Sequence, residues 1–241
     1  MAFDPKKYMA PAQKPLPVIL MLDVSGSMQN DHKIDRLYDA VLEMINAFLE
    51  MELKETIVRV AIITFGEQVL LHTPYTPVAE LKKKGIPKLS ASGQTPLARA
   101  LQMAKDIIED KDITPHGVYA PQVVLVSDGR PYPADHWQDR LEEFVGSGRS
   151  RMSQRLALSI GGDADEEMLR KFAGTDEKGN KLMFHAETAS DIAAAFKQVT
   201  ISISKRSKPS IPNTPPQYQG QFDSPPEPQK SAPVADDEDD Y

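Results

Sequence analysis

Residues 15–28 read PLPVILMLDVSGSM, and this stretch decides how the rest of the chain is understood. Five consecutive apolar residues, Val18 to Leu22, predict a strand buried on both faces, the signature of a parallel sheet. At its end the side chains become short and oxygen-bearing: Asp23, Ser25 and Ser27. A buried strand therefore delivers hard oxygen donors into a loop.

The same pattern returns downstream. Gln122 to Ser127, QVVLVS, is a second apolar strand, and it runs into Asp128-Gly129-Arg130-Pro131. Between the two, Ile34, Leu37, Tyr38, Val41, Leu42, Ile45, Phe48 and Leu49 recur at three- and four-residue intervals and predict an amphipathic helix of about five turns. Ile57 to Phe65 is β-branched and apolar, and Gln68 to His72 resumes after Gly66 and Glu67, so the pair predicts an antiparallel hairpin. Lys82 to Thr95 reads as a loop, and Leu97, Leu101, Ala104 and Ile108 mark another helix.

Farther on, Asp135 to Val145 suits a helix and Arg155 to Ile160 a third buried strand. A short helix from Asp165 to Phe172 follows Gly161-Gly162. Met183 and Phe184 form a last short strand, and Ile192, Ala195, Phe196, Val199 and Ile203 a closing helix. Strands alternating with helices give an α/β fold, a Rossmann-like, doubly wound, mostly parallel sheet with one antiparallel edge strand and helices on both faces. In such sheets ligands bind at the carboxyl ends of the strands, where Asp23 and Asp128 both fall.

Eight of the 20 prolines lie after Ser204, in a stretch poor in apolar residues that ends Asp236-Asp237-Glu238-Asp239-Asp240-Tyr241. The expected organisation is a lead-in over residues 1–14, one domain over 15–204, and a disordered, Pro-rich acidic tail over 205–241. One expectation for that tail is solubility; a sharper one is that a tail carboxylate visits the cation site.

The chain has 241 residues, a net charge of −7 and no cysteine. Disulfides, thiolate metal sites and cysteine nucleophiles are thereby excluded, and a reducing compartment fits. No signal-peptide core or membrane-length apolar run is present, which gives the expectation of a soluble, cytoplasmic protein. The short basic runs Lys82 to Lys84 and Lys205 to Lys208 do not offset an acidic balance, so neither nucleic acid nor membrane is expected as partner.

The five histidines, His32, His72, His116, His136 and His185, lack zinc-site spacing. No GxSxG elbow surrounds Ser25 or Ser27, and no Walker loop exists. An enzyme reading stays open in one form, a Mg²⁺-dependent phosphotransferase or phosphatase with Asp23 as nucleophile. Against it, the position two residues later, where dehalogenase-like enzymes carry a second acid, is Ser25.

Asp23-Val24-Ser25-Gly26-Ser27 resembles the DxSxS motif of von Willebrand factor A (VWA) domains. Ser92-Gly93-Gln94-Thr95-Pro96-Leu97 and Ser127-Asp128-Gly129 resemble the same family's threonine and second-aspartate segments, in the same order. Ile160-Gly161-Gly162-Asp163-Ala164-Asp165 and the closing helix are similar to bacterial TerY-like (tellurium resistance) proteins.

This resemblance implies a metal-ion-dependent adhesion site (MIDAS). Ser25, Ser27 and Thr95 would offer hydroxyls to the metal, with Asp23 and Asp128 acting through water or as outer acceptors. Mg²⁺ is the expected ion, with Mn²⁺ or Ca²⁺ as alternatives. The expected function is non-enzymatic: a cytoplasmic stress-response or phosphorylation-linked signalling module that binds an acidic residue of a protein partner, with a Ser/Thr kinase or PP2C-like phosphatase among the candidates. A metal-independent scaffold is the remaining alternative.

Thr95 has a second reading as a helix N-cap before Pro96. Asp31 and Asp35 could enlarge the acidic site, or be solvated acids at a helix start. The sequence departs from the family pattern at Met28-Gln29-Asn30-Asp31-His32-Lys33, which intervenes where many relatives have an early glycine. That departure bears on the rim of the loop and on partner choice.

Overall fold

The computed structural model describes residues 14–52, 56–132 and 134–206. The expected tail from residue 207 and the lead-in through residue 13 lie outside the described residues. The chain alternates strands and helices as its periodicities require: β1 (Lys14–Asp23), α1 (Lys33–Glu52), β2 (Thr56–Phe65), β3 (Val69–Pro77), α2 (Val78–Lys84), α3 (Leu97–Glu109), β4 (Gln122–Ser127), α4 (Trp137–Gly146), β5 (Gln154–Ile160), α5 (Glu166–Phe172), β6 (Met183–Ala186) and α6 (Ile192–Arg206).

The strands form one six-stranded sheet in the order β3-β2-β1-β4-β5-β6. All pairings are parallel except β2 with β3, which is antiparallel across a tight connection. The first strand is central, and the connections leave it in opposite directions, toward β2 and toward β4. The gap between the ends of β1 and β4 is thus the point where strand order reverses and a crevice opens.

Alternation along β1 assigns its two faces. Leu16, Val18, Leu20 and Leu22 pack with the buried faces of α1, α2 and α6. Ile19 and Met21 pack with α3, α4 and α5. Every residue from Leu16 to Asp23 is buried, which is why an unbroken apolar run suits this strand.

Three expectations are corrected. Lys82 to Lys84 are the last turn of α2, not loop; α2 is only seven residues long, too short for its apolar period to stand out, and the loop begins at Gly85. The third strand continues beyond His72 to Pro77. It is an edge strand with register shifts against β2, a position that tolerates Pro74 without breaking the sheet. Finally, α4 starts at Trp137 rather than Asp135, because His136 is left-handed (φ 50°) and Asp135 caps a different helix.

Candidate metal centre

At the carboxyl edge of the sheet, Ser25, Gly26, Ser27, Gly93, Thr95, Asp128, Gly129, Arg130 and Asp163 line a cleft of about 390 Å³. Four of the five residues singled out in the sequence, Ser25, Ser27, Thr95 and Asp128, face this one space. The fifth, Asp23, lies behind them, fully buried.

Asp23 ends β1 and holds its own loop. Its Oδ1 accepts the Ser25 backbone N–H at 2.9 Å, and its Oδ2 accepts the Ser127 hydroxyl at 2.6 Å. Burial raises the Asp23 carboxyl from 3.8 to about 6, against the opposing pull of the Ser127 and Ser25 hydrogen bonds, and the neighbouring Asp128 raises it further. A cation above this carboxylate would favour its charged form.

Asp128 is also buried. Its Oδ1 accepts the Ser27 hydroxyl at 2.6 Å and its Oδ2 accepts Lys33 Nζ at 2.8 Å. Ser25 Oγ and Ser27 Oγ are 3.1 Å apart. Gly129 completes the cradle: a Cβ built there would stand 3.6 Å from both Ser27 Oγ and Thr95 Oγ1, so the missing side chain leaves a space onto which the two hydroxyls converge.

Three loops are stitched together beneath this space by their main chains. Val24 N–H donates to Phe65 O, Ser92 N–H to Val24 O and Glu67 N–H to Ser92 O, each at 2.8 Å, and Gly26 N–H donates to Gly93 O at 3.0 Å. Such proximity needs glycine. At Gly66 a Cβ would lie 2.6 Å from both Ser92 O and Val24 O, and Gly93 has φ +78° with its Cβ direction blocked by Glu67.

Thr95 does not cap α3. Pro96 occupies the N-cap position without a side-chain cap bond, and the Ala98 N–H is taken by Asp135 Oδ2 at 2.7 Å instead. This corrects the capping reading of Thr95 and leaves its hydroxyl available to the cleft. Asp31 and Asp35 do not line the cleft; both are exposed, and Asp35 lies 3.6 Å from the exposed His32 ring.

Among the described residues no three His, Cys, Asp or Glu side chains form a group able to hold a metal ion. Any cation here would rely on hydroxyls, and the donor set fits: hard oxygens alone, some neutral, with carboxylates behind, suit a hard divalent ion that keeps part of its water shell. Ser127, Lys33 and Gly66 were not singled out as site residues from the sequence. Ser127 precedes the second aspartate directly, so its position was the available signal. Lys33 carried none beyond the departure at residues 28–33.

Residues 18–130 match the family model for the von Willebrand factor type A domain. No curated protein matches the chain in sequence. Among solved structures, the chain is similar to proximal thread matrix protein 1 from the mussel byssus with a zinc-occupied MIDAS motif: 16% identity, 78% of this chain and 48% of that one, TM-score 0.63. It is also similar to a von Willebrand factor type A protein from Catenulispora acidiphila: 20% identity, 80% and 43% coverage, TM-score 0.59. Manganese-loaded TRAP protein from Plasmodium vivax aligns at 18% identity, 78% and 74% coverage, TM-score 0.55. The chain spans about half the length of the mussel protein. At these identities the likeness is one of fold.

Proposed function

From a chain whose residues 18–130 match the von Willebrand factor type A family model, we propose a non-enzymatic module that captures an acidic residue of a protein partner through a divalent cation. Ser25, Ser27 and Thr95 hold the ion by their hydroxyls, and Asp23 and Asp128 supply negative charge behind them. The observation that carries this reading is the convergence of the Ser27 and Thr95 hydroxyls over Gly129, beside a carboxylate bonded to one of them. Because neutral hydroxyls leave the ion's charge under-compensated, a carboxylate from outside gains a strong electrostatic partner at the cleft.

Mg²⁺ is the ion that the all-oxygen donor set suits first, and Mn²⁺ or Ca²⁺ use the same donors. The domain spans about residues 15–204, followed by an acidic tail. The TerY-like segment Ile160 to Asp165 supports a cytoplasmic stress-response or phosphorylation-linked setting, with a Ser/Thr kinase or PP2C-like phosphatase as partner.

The burial of Asp23 weighs against the phosphotransferase alternative. Its side chain is inaccessible and both oxygens already accept hydrogen bonds, whereas a nucleophile must reach its phosphorus. The test is a pull-down from native lysate in Mg²⁺ or EDTA, with wild type, Asp23→Ala and Asp128→Ala. Partners retained only by wild type in Mg²⁺ are expected. A partner set indifferent to both metal and mutation would overturn the bridge in favour of a scaffold, and turnover of a phosphoester lost in Asp23→Asn would overturn it in favour of an enzyme.

A further inference from the structure

Lys33 is the first residue of α1, yet its ammonium lies at the cleft. Nζ is 2.8 Å from Asp128 Oδ2, with the Lys33 side chain 13% exposed and that of Asp128 at 0%. The other Asp128 oxygen is taken by Ser27, a residue of the proposed cation set. A cation belonging to the protein is therefore already seated on the carboxylate that backs this set.

Local backbone accompanies this placement. Asp31 and His32 have φ of 52° and 57°, a left-handed pair that turns the chain between Met28 and α1, immediately before Lys33. Residues 28–33 are the segment in which the sequence departs from the family pattern. Gly161, just after β5, is the glycine next to the ammonium; a Cβ there would stand 3.4 Å from Nζ, an ordinary contact.

The charge balance gives the lysine a consequence. Asp23 and Asp128 contribute two carboxylates, Lys33 one ammonium, and Arg130 and Asp163 at the rim oppose each other. A divalent cation entering this set leaves a net positive charge, and a carboxylate arriving from outside restores neutrality. Without Lys33 the metal alone would balance the site, and the external carboxylate would be surplus.

We propose, resting on the metal-bridge reading above, that Lys33 is a built-in counter-cation that weakens metal binding by the free domain and couples it to arrival of an acidic ligand. The coupling is reciprocal: a carboxylate tightens the metal by the same factor as the metal tightens the carboxylate. The domain is then held largely metal-poor until an acidic surface presents itself.

Calorimetric titration of the full chain with MnCl₂ tests this, comparing wild type, Lys33→Met and Lys33→Arg, each with and without excess acetate at matched ionic strength. Lys33→Met is expected to bind Mn²⁺ about tenfold more tightly or better, because a nearby unit charge has been removed. Lys33→Arg, which keeps the charge, is expected to stay within about threefold of wild type. Acetate should tighten Mn²⁺ binding by wild type more than by Lys33→Met.

Lys33→Gln, which keeps a donor for Asp128, replaces the methionine variant if thermal unfolding shows that variant to be misfolded. Wild type that binds Mn²⁺ as tightly as the neutral variants, or that ignores acetate, overturns the counter-cation role alone. Absence of Mn²⁺ binding in wild type and neutral variants alike overturns the metal bridge and this inference with it.

Discussion

The hydroxyl of Ser127 donates to Asp23 Oδ2 at 2.6 Å, joining the last residue of β4 to the last residue of β1. Both groups are buried, so the bond ties together the two strand ends that bound the crevice and satisfies a carboxylate that has no access to water. Ser127→Ala removes the donor and leaves a buried acceptor short of a partner. Loss of about 1–3 kcal/mol of unfolding free energy is expected, measured by urea denaturation in EDTA.

The Asp23 carboxyl gives the metal-free protein a pH signature. Its native value, about 6, lies above its ordinary 3.8, so the native state holds the proton more tightly than the unfolded chain. The stabilisation is fully present below the unfolded value and is lost as pH rises through about 6. Asp23 alone should make the domain more stable by on the order of 2 kcal/mol at about pH 4 than at about pH 7, before other groups are counted. In Asp23→Asn this component disappears. Divalent metal should flatten the same profile, and metal affinity should fall below about pH 6, where the proton competes.

Thr95 separates binding from folding. Its hydroxyl caps no helix, so Thr95→Ala is expected to change stability by less than about 0.5–1 kcal/mol. Metal affinity should nonetheless fall about tenfold, and Thr95→Ser should restore most of it. Calorimetry together with thermal unfolding distinguishes these two effects, and a large stability loss with affinity intact would reverse the assignment.

Gly66 tests the frame rather than the ligands. A methyl group at residue 66 would be driven 2.6 Å from two carbonyl oxygens of the main chain, neither of which is a flexible side-chain end. Gly66→Ala should cost more than about 2 kcal/mol of stability and weaken metal binding although it touches no ligand. Gly146→Ala is the control: at the end of α4, a Cβ there meets nothing within 4 Å and the backbone is not left-handed.

The fold was readable wherever a single period dominated. Val18 to Leu22, Gln122 to Ser127 and the stripe from Ile34 to Leu49 each carry one pattern over enough residues to identify the element, and their order implies the sheet. Where tertiary placement decided the outcome, the reading stopped short. Pro74 argues locally against a strand, and only the edge position of β3 explains its presence. Val78 to Lys84 is too short to show a helical period. In the cleft, short oxygen-bearing residues at two strand ends brought Asp23, Ser25, Ser27 and Asp128 to attention, and Thr95 came only from the resemblance to the von Willebrand factor A motif. Lys33 is 95 residues from the carboxylate it meets, and Ser127 is 104 from its own, distances over which no local pattern speaks.

The bonds among Val24, Phe65, Glu67, Ser92, Gly26 and Gly93 join peptide groups, not side chains. A frame made of peptide groups is indifferent to most of the residues it carries, as long as the close-approach glycines are kept. Rim positions such as Arg130 and Asp163 are therefore open to replacement without displacing the hydroxyls below them. A library confined to those positions would vary which protein is recognised while the means of holding it stays the same, which makes this cleft a scaffold for reprogrammed, cation-dependent binders.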